Sequence, residues 1–121
     1  MAVILIVEDE FFVRGIAEMM IQGWGHHTLS AVDGDGALLL LRSPQHIDAL
    51  FTDIRLKTAI LDGYELANQG VKLRPKMRVL YTTGNPLTEE MKALFVEGAH
   101  FLQKPYTPDH LQHSVEGLLA A

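Results

Sequence analysis

Ala2-Val3-Ile4-Leu5-Ile6-Val7-Glu8-Asp9-Glu10 is the stretch that decides the fold. Its first six residues are apolar without alternation, so a strand over 2–7 must be covered on both faces. The run is too short to cross a membrane. It also lacks the basic leader and small-residue cleavage site of a secretory signal, which points to the cytoplasm. Three acidic residues follow at once, so this strand ends on a negatively charged rim.

Apolar runs of two different periods alternate along the rest of the chain. Phe12, Ile16, Met19 and Met20 recur at helical spacing and are expected to face the core. Gly23-Trp24-Gly25 stops that helix. Residues 27–32 read as a more polar strand near a sheet edge. A short helix over 35–42 ends at Ser43-Pro44, and its leucines at 38–41 divide between core and interface. A third strand over 47–52 ends at Asp53. Helix 63–73 places Leu66, Ala67, Gly70 and Val71 inward. A fourth strand covers 77–82. Helix 88–97 has acidic residues in its first turn and Gly98 as its stop. A fifth strand covers 99–102. Thr107-Pro108 caps and opens a last helix with Leu111, Val115, Leu118 and Leu119 on one side.

Five strand–helix units imply an α/β fold, a parallel sheet covered on both sides with right-handed crossovers. The 121 residues suit a single domain over 1–121, with no repeat or linker. A net charge of −5 argues against direct DNA binding, because phosphate contacts need a basic face. The absence of cysteine excludes disulfides, thiol catalysis and cysteine-held metals.

Ligands of such sheets bind beyond the carboxyl ends of the strands. Glu8 and Asp9 follow the first strand and Asp53 the third. Thr82, Thr83 and Gly84 follow the fourth, and Lys104-Pro105 the fifth. Three converging carboxylates repel unless protonated or neutralised by a cation. Oxygen ligands suit Mg²⁺. A metal beside a lysine and a hydroxyl is equipment for phosphoryl transfer, and a carboxylate can be the nucleophile. Each residue alone has a plainer role: Asp53 capping a turn, Glu8-Asp9 an acidic helix start, Lys104 a solvated lysine.

Together, these residues resemble the receiver domain of two-component response regulators, from Val3 to Leu119. Thr82 lies 29 residues beyond Asp53 and Lys104 lies 51 beyond, both close to the family's spacing. Asp62-Gly63 resembles the family's opening of the third helix. The resemblance implies a five-stranded, doubly wound sheet in the flavodoxin-like order 2-1-3-4-5. It implies Asp53 as phospho-acceptor, and Mg²⁺ held by Asp9, Asp53, the Arg55 backbone carbonyl and, mainly through water, Glu8. Thr82 would bond the phosphoryl group, with Thr83 its competitor, and Lys104 would pair with it. Phe101 would be a switch aromatic following Thr82, and a cis bond before Pro105 would aim Lys104. The expected partners are a sensor histidine kinase or phosphotransfer protein and a downstream protein target. The kinase's helices would dock near the first helix. A phosphorylation-dependent homodimer is compatible with this. The responding surface would span helix four, strand five and helix five, including Lys92, Glu97, His100 and Tyr106. The chain would then be a stand-alone receiver without an output domain, and not an enzyme.

Some positions depart from the family pattern. Lys57 stands where the family usually has proline, and the stretch over 54–61 is longer than usual. Thr83 stands where a small residue is common. Arg55 and Gly84 flank the phosphoryl position and are expected to set the lifetime of the phosphorylated form. The alternative function is a receiver-like binding module that does not use phosphate. A phosphatase of external substrates is opposed by Arg55, which stands where aspartate-nucleophile phosphatases carry a second aspartate. A flavin site is opposed by Glu8-Asp9-Glu10, which would repel phosphate. His110 and His113 read as a polar helix face rather than a metal pair.

Overall fold

The computed structural model describes residues 1–56 and 61–120. Strands β1 (Val3–Val7), β2 (His27–Ala31), β3 (Ala49–Asp53), β4 (Arg78–Thr83) and β5 (His100–Gln103) form one sheet in the order β2-β1-β3-β4-β5. All pairings are parallel. Between and after them run α1 (Phe11–Gly23), α2 (Gly34–Leu41), α3 (Gly63–Leu73), α4 (Glu89–Lys92) and α5 (Pro108–Ala120). The expected fold class and strand order are both present.

The central strands are apolar because they bury both faces. Leu5, Val7, Leu50, Val79 and Tyr81 point to one side, where they pack with Ala37 and Leu41 of α2 and Leu66 and Ala67 of α3. Ile4, Ile6, Phe51 and Leu80 point to the other, against Ala17 and Ile21 of α1 and Leu111, Val115 and Leu118 of α5. β2 lies at the edge, as its polarity predicts. There Thr28 accepts a hydrogen bond from Gln22 and Ser30 donates one to Glu18. Side-chain caps start four helices: Asp33 accepts from the Gly36 amide, Asp62 from Glu65, Thr88 from Met91 and Thr107 from His110.

Register sets the site. Val7 lies opposite Thr52, and Asp53 lies opposite Thr82. Glu8 therefore leaves β1 beside the point where Asp53 closes β3. Gly63 seals that corner by donating its amide to the Ile54 carbonyl at 2.9 Å. A Cβ there would stand 2.4 Å from the Asp53 carbonyl oxygen, so no larger residue fits without movement.

Two expectations need correction. The inward stripe of α1 is not the one the spacing suggests: Phe12, Ile16 and Met19 are 77%, 52% and 69% exposed. The buried residues are Ala17 and Ile21, and Met20 is only partly buried. The helix is apolar on two adjoining stripes, so periodicity alone does not fix its rotation. The Arg14 guanidinium donates to the Glu8 carbonyl at 2.8 Å and helps fix the phase. The small Ala17 then lets α1 lie close to the sheet. The second correction concerns α4, expected over 88–97 but observed only over Glu89–Lys92. Beyond it the chain is drawn inward, where the Val96 amide donates to the Tyr81 hydroxyl at 3.1 Å. No helix among the described residues is long and apolar enough to cross a membrane.

Candidate functional site

Lys104 is the centre of the rim. Its Nζ donates to Asp53 Oδ2 at 2.7 Å and to Glu8 Oε1 at 2.6 Å. Its backbone amide donates to the Thr83 carbonyl at 2.9 Å, tying the end of β5 to β4. The Lys104–Pro105 peptide bond is cis. Glu8 Oε2 accepts from the Glu10 amide, and Asp53 Oδ1 accepts from the Arg55 amide at 3.1 Å. Glu8 and Asp53 are only 4% and 7% exposed, so both acids are withdrawn from bulk water.

Burial raises the Glu8 carboxyl above the ordinary range, although the hydrogen bond from Lys104 works against the rise. Burial acts to lower the Lys104 ammonium, but its bonds to Asp53 and Glu8 outweigh it and the net direction is upward. The lysine is thus a fixed cation at neutral pH. Glu8, Asp9 and Asp53 each offer one carboxylate oxygen, and these atoms all lie within 4.8 Å of one another. An all-oxygen, acidic donor set of this kind fits a hard divalent cation such as Mg²⁺.

The two threonines differ in direction. The Thr82 hydroxyl donates to the Leu102 carbonyl at 2.7 Å, and its side chain lies with Val13, Phe51 and Tyr106 on the α1/α5 side. Thr83 lies on the opposite side, where it lines a cavity of 400 Å³ with Arg55, Asp62, Tyr64, Asn85 and Met91. Among the described residues, its hydroxyl's one hydrogen bond is a long one, 3.4 Å, accepted from the Asn85 amide. With its amide oxygen turned to Arg55, Asn85 accepts from guanidinium Nε and Nη2, both at 3.0 Å. This pair joins the loop after β3 to the loop after β4.

A sequence profile described as the response regulator receiver domain matches residues 4–116. The chain belongs to the response regulator receiver family. This receiver is similar to the nitrogen assimilation regulatory protein NtrX of Azorhizobium caulinodans, 33% identical over 111 residues, 89% of this chain and 24% of that protein. A receiver protein of Sinorhizobium medicae has a crystal structure that superimposes with a TM-score of 0.91 at 28% identity, over 99% of this chain and 95% of that one. NtrX of Brucella abortus superimposes at 0.88 with 31% identity, over 98% of this chain and 27% of that one. The chain spans about a quarter of NtrX and 47% of the ycf27 regulator of Cyanophora paradoxa, which is 25% identical over 116 residues.

In this receiver, the fold gathers Glu8, Asp9, Asp53 and Lys104 at one point and sets the Arg55 peptide against Asp53. Thr82 is next to Asp53 in register, and its hydroxyl is committed to the Leu102 carbonyl. Phe101 is partly buried on the Thr83 side, against the ring of Phe95. Lys57 lies outside the described residues. Two site neighbours escaped the sequence reading. Asn85 meets Arg55 through the fold, and nothing local in the sequence marks that contact. Tyr81 stands within an apolar strand, and no local sequence signal marks its contacts with Phe95 and the Val96 amide.

Beside the rim lies an apolar groove of 510 Å³ between α1 and the loop after β5. Val13, Ile16, Met20, Lys104, Pro105 and Tyr106 line it. The exposed side chains of Phe11, Phe12, Ile16 and Met19 belong to the same helix.

Proposed function

We propose that this receiver accepts a phosphoryl group on Asp53 in a Mg²⁺-dependent reaction and signals through the phosphorylated form by protein contact or onward relay. The observation that carries the reading is the single cation Lys104 shared by buried Asp53 and Glu8, with Asp9 alongside. An Asp53 oxygen attacks phosphorus, the bond from phosphorus to the donor histidine nitrogen breaks, and an aspartyl phosphate and a free histidine result. Lys104 already contacts Asp53 Oδ2 and stabilises the charge that builds on the phosphoryl oxygens. Bound Mg²⁺ would neutralise charge on the same oxygens. Asp9, Asp53 and the Arg55 carbonyl would hold it, with Glu8 acting mainly through water.

Thr83 is better placed than Thr82 to bond the phosphoryl group. Thr82 would first have to give up a 2.7 Å bond to Leu102, whereas among the described residues the Thr83 hydroxyl has only a 3.4 Å bond from the Asn85 amide, and it lies on the Phe101 side. The donor is a phosphohistidine on a sensor kinase or phosphotransfer protein, and its helices would cover the apolar side chains of α1 beside the rim. The reaction is the receiver's own modification, not turnover of an external substrate, and its setting is cytoplasmic. The proposal concerns the receiver itself and holds with or without a further domain.

The test is phosphoryl incorporation from acetyl phosphate with Mg²⁺, read by mass. One added group in the wild type and none in Asp53→Asn is the expected result. No incorporation, together with no binding of Mg²⁺ or beryllofluoride, would replace this reading with a phosphate-independent binding module.

A further inference from the structure

Nothing local in residues 89–97 stops a helix at Lys92. Thr88 caps the start by accepting from the Met91 amide at 3.2 Å. No glycine or proline occurs before Gly98, and Gly98 has the positive φ of a helix stop. The hydrogen bonds nevertheless change character after the first turn. Leu94 donates to Met91 at 3.0 Å and Phe95 to Lys92 at 3.1 Å, each a step of three rather than four. The Val96 amide, which a continued helix would direct to the Lys92 carbonyl, instead donates to the Tyr81 hydroxyl at 3.1 Å.

Tyr81 is fully buried on β4, directly before the two threonines. Its ring stacks on Phe95 at 4.4 Å. Phe95 in turn faces Phe101 at 6.1 Å and Tyr64 at 6.2 Å. The chain therefore leaves the helix in order to insert Phe95 between Tyr81 and Phe101. A conflict between local sequence and observed structure marks a place where tertiary contacts hold the chain away from its local preference.

We propose that α4 has two lengths and that Tyr81 and Phe95 are the latch between them. In the short form, Tyr81 takes the Val96 amide and Phe95 fills the space beside Phe101. In the long form, Phe95 leaves, the Val96 amide turns to Lys92, and helix runs to Gly98. In either form the Val96 amide has a partner, the Tyr81 hydroxyl or the Lys92 carbonyl, and an event that favours one partner shifts the population toward that form. The trigger rests on the proposed phosphorylation. Met91 of α4 lines the same cavity as Thr83 and Asn85, so drawing Thr83 toward a phosphoryl group moves the wall on which α4 sits.

The experiment follows backbone chemical shifts and amide exchange of the full chain. It compares the wild type alone, the wild type with Mg²⁺ and beryllofluoride, and Tyr81→Phe alone. Tyr81→Phe keeps the ring stack and removes only the hydroxyl. Expected are helical shifts at 93–97 with beryllofluoride, amide exchange slowed about tenfold there, and partial movement the same way in Tyr81→Phe. If beryllofluoride shifts the amides of Asp53, Thr83 and Lys104 while 93–97 stay unchanged in both arms, the latch is overturned and the phosphorylation reading stands. If beryllofluoride does not bind, the phosphorylation reading falls. Tyr81→Phe then decides the latch by itself, with helical shifts supporting it and unchanged shifts overturning it.

Discussion

Gly63→Ala tests how firmly the fold fixes the acceptor. The added Cβ would meet the Asp53 carbonyl oxygen at 2.4 Å and Ile54 Cα at 2.7 Å, both backbone atoms. Ordinary contact begins near 3.4 Å, so the end of β3 or the start of α3 must shift by about 1 Å. Overpacking of this kind costs about 1–3 kcal/mol. Alanine's better helix propensity returns up to about 1 kcal/mol. The net loss of roughly 1–2 kcal/mol lowers Tm by about 4–8 °C. The effect on chemistry is larger, because misplacing a reacting group by about 1 Å can cost about 100-fold. Phosphorylation from acetyl phosphate should therefore slow by between about tenfold and 100-fold. Gly15→Ala is the control: it lies exposed within α1 with nothing within 4 Å of its Cβ. It should gain about 0.5–1 kcal/mol and phosphorylate normally. If Gly63→Ala matched Gly15→Ala in melting temperature and in rate, the reasoning would be refuted.

Breaking the Arg55–Asn85 pair, by Arg55→Ala or Asn85→Ala, should open the rim to water and shorten the life of the aspartyl phosphate by about threefold to tenfold. The double variant should decay no faster than either single one. Additive effects in the decay rates would show that the two residues act separately. Phe12→Ser and Ile16→Ser change exposed side chains, so stability should move by no more than about 0.5 kcal/mol. Uptake from acetyl phosphate should be unchanged, while transfer from a phosphohistidine protein should fall at least about tenfold. Equal losses with both donors would argue against docking on α1. Burial raises all three tyrosines, Tyr106 to about 12. A phenol raised in the folded state contributes stability that is fully present below pH 10 and is lost as pH climbs through its folded value. Stability should thus fall between about pH 10 and 12, with phenolate absorbance appearing alongside unfolding. Free titration of three phenols near pH 10 in the folded protein would contradict the burial.

The sequence made most of the fold legible because strands buried on both faces leave unbroken apolar runs, and residues 2–7 are such a run. The polarity of β2 announced the sheet edge, and Asp62 and Thr107 marked helix starts that the structure keeps. Glu8, Asp9, Asp53 and Lys104 were also legible, because a parallel sheet delivers strand ends to one rim. The rotation of α1 was not, since two apolar stripes adjoin on it and only packing against the sheet chooses between them. Which face of the sheet each threonine takes depends on strand phase, and a one-residue slip sends a side chain to the other face.

The order of elements, the parallel sheet and the acidic rim with its lysine follow from local periodicity and from which residues end each strand, so they can be read along the chain. Tertiary structure alone decided what happens between residues far apart in the chain. Lys104 closes onto Glu8 and Asp53, Arg55 meets Asn85, and Tyr81 takes the Val96 amide that a longer α4 would have used. Local preference favours helix to Gly98. A buried hydroxyl and a stacked ring, brought there only by the packed sheet, end it at Lys92.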